Sequence, residues 1–114
     1  MKRQMVIERR KARIELQNKL NNEALEILSK VKPSLRQYYS VERLRTCKAY
    51  VYHTPDFVVL MSYNTVVAFI DKSTGIMYDV LRIVYGYTAT SSQHISKFKA
   101  DYPYKECIIA RYPY

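Results

Sequence analysis

Phe57-Val58-Val59-Leu60-Met61-Ser62-Tyr63-Asn64-Thr65-Val66-Val67-Ala68-Phe69-Ile70-Asp71 decides how this chain folds. Phe57 to Ser62 and residues 65–70 are apolar and β-branched, the composition of buried strands. Tyr63-Asn64 between them is a two-residue link whose Asn tolerates positive φ, the shortest connection between antiparallel strands. Toward the C-terminus, Asp71-Lys72-Ser73-Thr74-Gly75 predicts the next hairpin, with Gly75 at its left-handed position. Residues 76–85 then read as a fourth strand, interrupted by Gly86 before Tyr87. Toward the N-terminus, Thr54-Pro55-Asp56 predicts a turn. Residues 46–53 predict the first strand, in which Cys47, Ala49 and Val51 alternate with Lys48, Tyr50 and Tyr52.

Helical signals flank this sheet. Residues 4–31 contain neither Pro nor Gly and are rich in Glu, Lys, Arg, Leu, Gln and Ala, which favours one long helix. Leu16, Leu20, Ala24, Ile27 and Val31 draw an apolar stripe down its second half, whereas cations nearly surround Ile7 and Ile14 in the first. Lys32-Pro33 is expected to end the helix, and Ser34 to cap a short turn through Tyr38. Thr90-Ser91-Ser92-Gln93 has the capping-box pattern, so a second helix is expected from Ser91. Ile95, Phe98 and Tyr102 lie on one face of it, and Pro103 closes it. Residues 105–112 supply a fifth strand.

The order is therefore α-β-β-β-β-α-β. The fold class is α+β, with a long N-terminal helix, an antiparallel sheet of about five strands and a second helix near the C-terminus. A chain of 114 residues encloses one core rather than two. Residues 1–114 are read as a single domain, 1–31 the long basic helix and 46–114 the α+β body.

Several function classes lose support at once. The longest apolar runs, residues 57–61 and 66–70, are five residues each, far short of a membrane span. Only Met5-Val6-Ile7 separates the basic start from Glu8-Arg9-Arg10, so no apolar signal region forms, and the expected location is the cytoplasm of a bacterial host. Cys47 and Cys107 sit sixty positions apart with no His at ligand spacing, and read as buried free thiols rather than a disulfide or zinc pair. His94 with Ser91 and Ser92 could be taken for a nucleophile and base, yet the first turn of a helix uses such residues for capping. Two glycines cannot build a phosphate-binding loop. No catalytic residue, metal or cofactor is expected.

Charge is the positive signal. Lys2, Arg3, Arg9, Arg10, Lys11 and Arg13 against Glu8 alone give the first thirteen residues +5 of the chain's formal +9. Cations in the first turns of a helix oppose its macrodipole by a few tenths of a kcal/mol each, roughly. An anionic partner offsets that cost, and the excess of Arg over Lys favours bidentate contacts to phosphate or carboxylate. The candidate binding residues are Arg3, Arg9, Arg10, Lys11 and Arg13. Arg45, Lys48, Tyr50 and Tyr52 form a second, basic-aromatic patch, since tyrosine rings can stack on unpaired bases. Twelve tyrosines and no tryptophan otherwise suit half-buried sheet surfaces.

Ser62-Tyr63-Asn64-Thr65-Val66-Val67-Ala68-Phe69-Ile70-Asp71, followed by Tyr85-Gly86-Tyr87-Thr88-Ala89-Thr90-Ser91-Ser92-Gln93-His94-Ile95-Ser96-Lys97-Phe98, resembles a pattern in small proteins encoded by phages and mobile elements of Gram-positive and gut bacteria. The likeness spans roughly residues 57–102 and leaves the basic helix outside it. It implies a setting rather than a mechanism: a non-enzymatic protein that inhibits a host nucleoprotein, as anti-CRISPR and other anti-defence proteins do. The partner would then be that nucleoprotein or its nucleic acid. Two further classes are a stand-alone DNA- or RNA-binding regulator, and a homodimer formed by pairing long helices through Ile7 and Ile14.

Overall fold

A computed structural model of the protein describes residues 2–84 and 88–111, with the side chains of the first helix described from Arg9 onward. Helix α1 is Lys2–Ser34, followed by strands β1 Ser40–Arg43, β2 Ala49–His53, β3 Phe57–Ser62, β4 Thr65–Asp71 and β5 Ile76–Asp79. A one-turn helix α2, Leu81–Val84, leads to helix α3, Ala89–Asp101, and strand β6, Glu106–Ile109. The six strands lie in the order β1-β2-β3-β4-β5-β6. Neighbours from β1 to β5 are antiparallel, and β5 and β6 are parallel. The α+β architecture is as expected. The sheet has one strand more and one parallel pair, because the chain crosses the sheet through α3 before it returns as β6.

The local chemistry explains each element. Tyr63 and Asn64 both take positive φ, 50° and 66°, the pair of left-handed residues that a tight hairpin needs. Gly75 has φ 77°, and a Cβ there would meet the Lys105 side chain at 3.0 Å. A register shift between Leu60 and Met61 leaves Val67 as an extra residue on β4. Val67 and Ala68 consequently bury on the same side of the sheet.

Helices cover both faces. On one face, Ala24, Leu28 and Val31 of α1 pack with Val59, Phe69, Tyr78 and Ile108. Tyr78 is 1% exposed and stacks on Phe69 at 5.2 Å between centroids, while its hydroxyl donates to Glu23 at 2.9 Å. On the other face, Ile95 and Phe98 of α3 pack with Leu44, Val51, Leu60, Val67 and Met77. The apolar spacings read in the sequence mark the packed faces from Leu20 onward in α1 and over Ile95, Phe98 and Tyr102, whereas Leu16, read as part of the α1 stripe, is exposed because it precedes the first anchor on the sheet.

Several boundaries differ from expectation. Helix α1 runs through Pro33 to Ser34; a proline this near the end deprives only the exposed Ser29 carbonyl of a partner. Ser34 is helical and makes no cap bond, its hydroxyl donating to Val31 O at 2.7 Å instead. The strand expected over 46–53 begins at Ala49, and Ser40–Arg43 is a strand that no apolar periodicity marks, all four residues being exposed. The strand expected over 76–85 stops at Asp79, whose carboxylate accepts from Leu81 N at 3.2 Å and starts α2. Helix α3 begins two residues before the expected Ser91, because Thr88 is the cap and accepts from Ser91 N at 3.2 Å. Tyr85, Gly86, Tyr87 and Tyr112 lie outside the described residues.

The two edges of the sheet are finished differently. At β6, Asn21 of α1 acts as a substitute peptide group: its amide donates to Arg111 O at 2.6 Å and its carbonyl accepts from Arg111 N at 3.0 Å. Gln17 donates to both Ile109 O at 3.0 Å and Asn21 Oδ1 at 2.8 Å. Side chains of α1 thereby take the last carbonyl of β6 and both backbone groups of Arg111 just beyond it. Replacing Asn21 by Ala is expected to lower stability by about 1–3 kcal/mol, since Arg111 would lose partners for both backbone groups; urea unfolding measures it. Gly75→Ala is expected to cost about 1–2 kcal/mol for a side chain held at positive φ.

Candidate nucleic-acid interface

The first anchor of α1 on the sheet is Gln17. At 1.5 Å per residue, the turns before it extend about 22 Å beyond that point. The long axis of the molecule, 56 Å against 28 and 22 Å for the others, reflects this projection. Arg9, Arg10, Lys11 and Arg13 are all exposed. Among the described residues none of the four makes an ion pair or side-chain hydrogen bond. Arg3 lies among the residues whose side chains are not described.

Helical periodicity sorts these cations. Successive residues turn by 100°, so Arg9, Arg10 and Arg13 share one third of the circumference. The same third farther along carries Gln17, Asn21, Ala24 and Leu28, the residues that meet the sheet. Lys11 lies on the opposite side. The three arginines thus continue the sheet-facing stripe past the last strand and overhang the β6 edge, where exposed Arg111 adds a fourth cation. Exposed guanidinium groups on one helical face suit bidentate contacts to phosphate oxygens. Leu16, 58% exposed, is the apolar residue beside them.

Arg45, Lys48, Tyr50 and Tyr52 do not join this group; they belong to the β1–β2 end, across the sheet. Arg45, at φ 54°, is held in a two-point ion pair with Asp101 of α3, at 2.9 and 2.8 Å. That pairing raises the guanidinium pKa and lowers that of the Asp101 carboxyl. Tyr52 packs edge-on against Tyr38 at 5.3 Å and against the α1-side core, whereas Tyr50 and Lys48 are exposed. Arg45 is thus tied to the α3 side, while the two tyrosines lie on the α1 side.

His94 has a structural setting. Its Nδ1 and the Ser62 hydroxyl are 2.8 Å apart, Ser62 and Ser91 share a further hydrogen bond at 3.1 Å, and all three residues are buried. The cluster ties α3 to the end of β3. Burial pushes the His94 imidazole below its ordinary pKa, and Lys97 adds to the shift. Similarly, Tyr102 and His53 bond the Glu42 carboxylate and hold it below the usual range, fastening β1 to the end of α3. The cysteines are half-buried rather than buried. Cys47 Sγ accepts from Lys97 Nζ at 3.1 Å, and burial raises the Cys107 thiol. Among the described residues no group of His, Cys, Asp or Glu is placed to hold a metal, and no helix is long and apolar enough to cross a membrane.

The sequence reading missed Gln17, Asn21 and Arg111. Two polar residues on an otherwise apolar helical stripe were the available signal; their partners, Ile109 and Arg111, lie 92 and 90 residues away.

These features define a helix-sheet-helix scaffold carrying a cationic overhang. Residues 33–108 match the model of a family of unknown function, DUF8033, and the chain belongs to that family. Almost all of α1, including the overhang, precedes the matched residues. Searches of curated proteins and of solved structures returned no match.

The buried histidine predicts a pH dependence with a definite sign. Its folded pKa is depressed relative to about 6.5 in the unfolded chain, so the unfolded state binds the proton more readily. The contribution of His94 is therefore fully present above pH ~7 and is lost as pH falls below about 6.5 toward the lower folded value. Urea midpoints measured from pH ~7 downward should decline for the wild type and decline less steeply for His94→Gln.

Proposed function

We propose that the protein is a non-enzymatic binding protein whose basic overhang grips the phosphate backbone of a nucleic acid, held in a host nucleoprotein that the protein inhibits. The observation that carries this reading is the cluster Arg9, Arg10 and Arg13, without an ion pair among the described residues and aligned on one helical face beyond the last sheet contact. Three guanidinium groups within two turns repel one another and oppose the helix dipole. Both costs are offset when an anion sits between them. The inhibitory role, anti-CRISPR or another anti-defence activity, rests on the resemblance of residues 62–71 and 85–98 to phage-encoded proteins. A stand-alone regulator would use the same overhang and differ only in binding naked DNA or RNA.

A second reading is a homodimer of paired α1 helices: Leu16, 58% exposed on the projecting part of α1, is a large apolar side chain that a second helix would cover. Light scattering separates it from the first, since a dimer dissolved by Leu16→Glu would account for the exposed leucine without any nucleic acid.

The binding test is the salt dependence of affinity for a labelled 20-base-pair duplex and for a single strand of the same sequence. Each phosphate neutralised on duplex contributes about −0.9 to the slope of log K against log salt. Arg9→Ala, Arg10→Ala and Arg13→Ala together are expected to reduce its magnitude by about 3 and to weaken binding in either sequence context. Unchanged affinity at physiological salt would overturn the reading.

A further inference from the structure

Strand β1 forms the edge of the sheet opposite β6. Leu44 N donates to Ala49 O at 2.9 Å across the β1–β2 pair, and Glu42 faces Val51 two residues earlier in the same register. Alternation in an antiparallel ladder therefore turns the N–H and C=O groups of Val41 and Arg43 outward. At the other edge Gln17 takes Ile109 O, at the end of β6, and Asn21 takes both backbone groups of Arg111 just beyond it. No residue among those described does this for β1.

Bare edges are usually guarded by charges or by short, twisted strands. The strand is short, but both of its charged side chains are drawn away from the edge. Arg43 folds onto its own hairpin, donating to Cys47 O at 2.8 Å and Thr46 O at 3.1 Å. Glu42 is held by His53 and Tyr102 on the α3 side. What remains around the edge is apolar and aromatic. Tyr38, Tyr39, Val41 and Tyr50 are four of the nine large hydrophobic side chains exposed among the described residues.

We infer that β1 accepts an extended, acidic peptide segment of a partner protein as a seventh strand. Alternating donors and acceptors along Val41 and Arg43 complement a peptide backbone, whereas a phosphate chain offers acceptors only. Val41, Tyr50 and Tyr38 supply contacts for alternate side chains of the added strand. The charge follows from the surroundings: Arg36 and Lys48 are exposed and make no ion pair among the described residues, and the one carboxylate on β1 is occupied behind it. Pairing with a second copy would set two chains of formal charge +9 side by side, which acidic peptides avoid. The surface lies at the opposite edge from the arginine overhang and does not depend on it.

A displayed library of random 12-residue peptides, selected on the full-length protein at physiological salt, tests this. Enriched peptides are expected to be net acidic with alternating β-branched or aromatic residues. Val41→Pro removes only an outward N–H, which an edge strand tolerates, and is expected to weaken those peptides about tenfold. Lys48→Glu is the second variant, expected to weaken acidic peptides while leaving the backbone edge intact. Amide exchange at Val41 and Arg43 should slow when a selected peptide is bound. Enrichment of neutral or basic peptides, failure to enrich any, or binding indifferent to both variants overturns the inference. So does a wild-type dimer that Val41→Pro dissolves, because a second copy would then be the occupant.

Discussion

The two-point hydrogen bond between Asn21 and the backbone of Arg111 is the contact on which the molecule's shape turns. It pairs both backbone groups of Arg111, just past the end of β6, which would otherwise lack partners. It also fixes where along its length α1 meets the sheet. Ala24, Leu28 and Val31 follow at helical spacing and bury against Val59, Phe69 and Ile108. Everything before Gln17 is left without a floor. A helix of this length is stable there because it is continuous with a docked segment: the cost of nucleation is met once and the free turns add only propagation steps.

Charge follows from that placement. The stripe that is apolar over the sheet becomes arginine beyond it, so the helix presents cations on its sheet-facing side. Surface arginines usually have carboxylates within reach, as Arg45 has in Asp101. At the opposite edge the charged side chains of β1 are taken by its own hairpin and by the α3 side, and exposed Val41, Tyr38, Tyr39 and Tyr50 surround the backbone edge. The fold thus has two unlike ends, one electrostatic and one made of backbone edge and rings. A protein acting on a nucleoprotein would have use for both, the first meeting nucleic acid and the second meeting polypeptide.

Local chemistry was legible in the sequence. Tyr63-Asn64 and Gly75 reveal their turns because positive φ restricts residue choice, and Ile95 with Phe98 marks a buried helical face. Long-range chemistry was not. Strand β1 has a single apolar residue and buries nothing, so it exists only because β2 offers it a ladder. Strand β5 ends early because Asp79 caps α2, a competition between strand and helix that alternation alone cannot weigh. The parallel placement of β6 depends on the crossover through α3. For the candidate site, the cations could be counted from the sequence. Their alignment with the sheet-facing stripe required knowing that Asn21 meets Arg111. The assignment of Arg45 to an aromatic patch failed to anticipate Asp101, 56 residues distant.

The arginine overhang, anchored through Asn21, is proposed to meet phosphate. The most direct test is an NMR titration of the full-length protein with a short single-stranded oligonucleotide and with its duplex, following arginine side-chain Nε–Hε resonances. Those of Arg9, Arg10 and Arg13 should move together and saturate, while that of Arg45, already held by Asp101, stays in place. Stationary resonances at the three arginines, with shifts confined to the β1–β2 end, would contradict it.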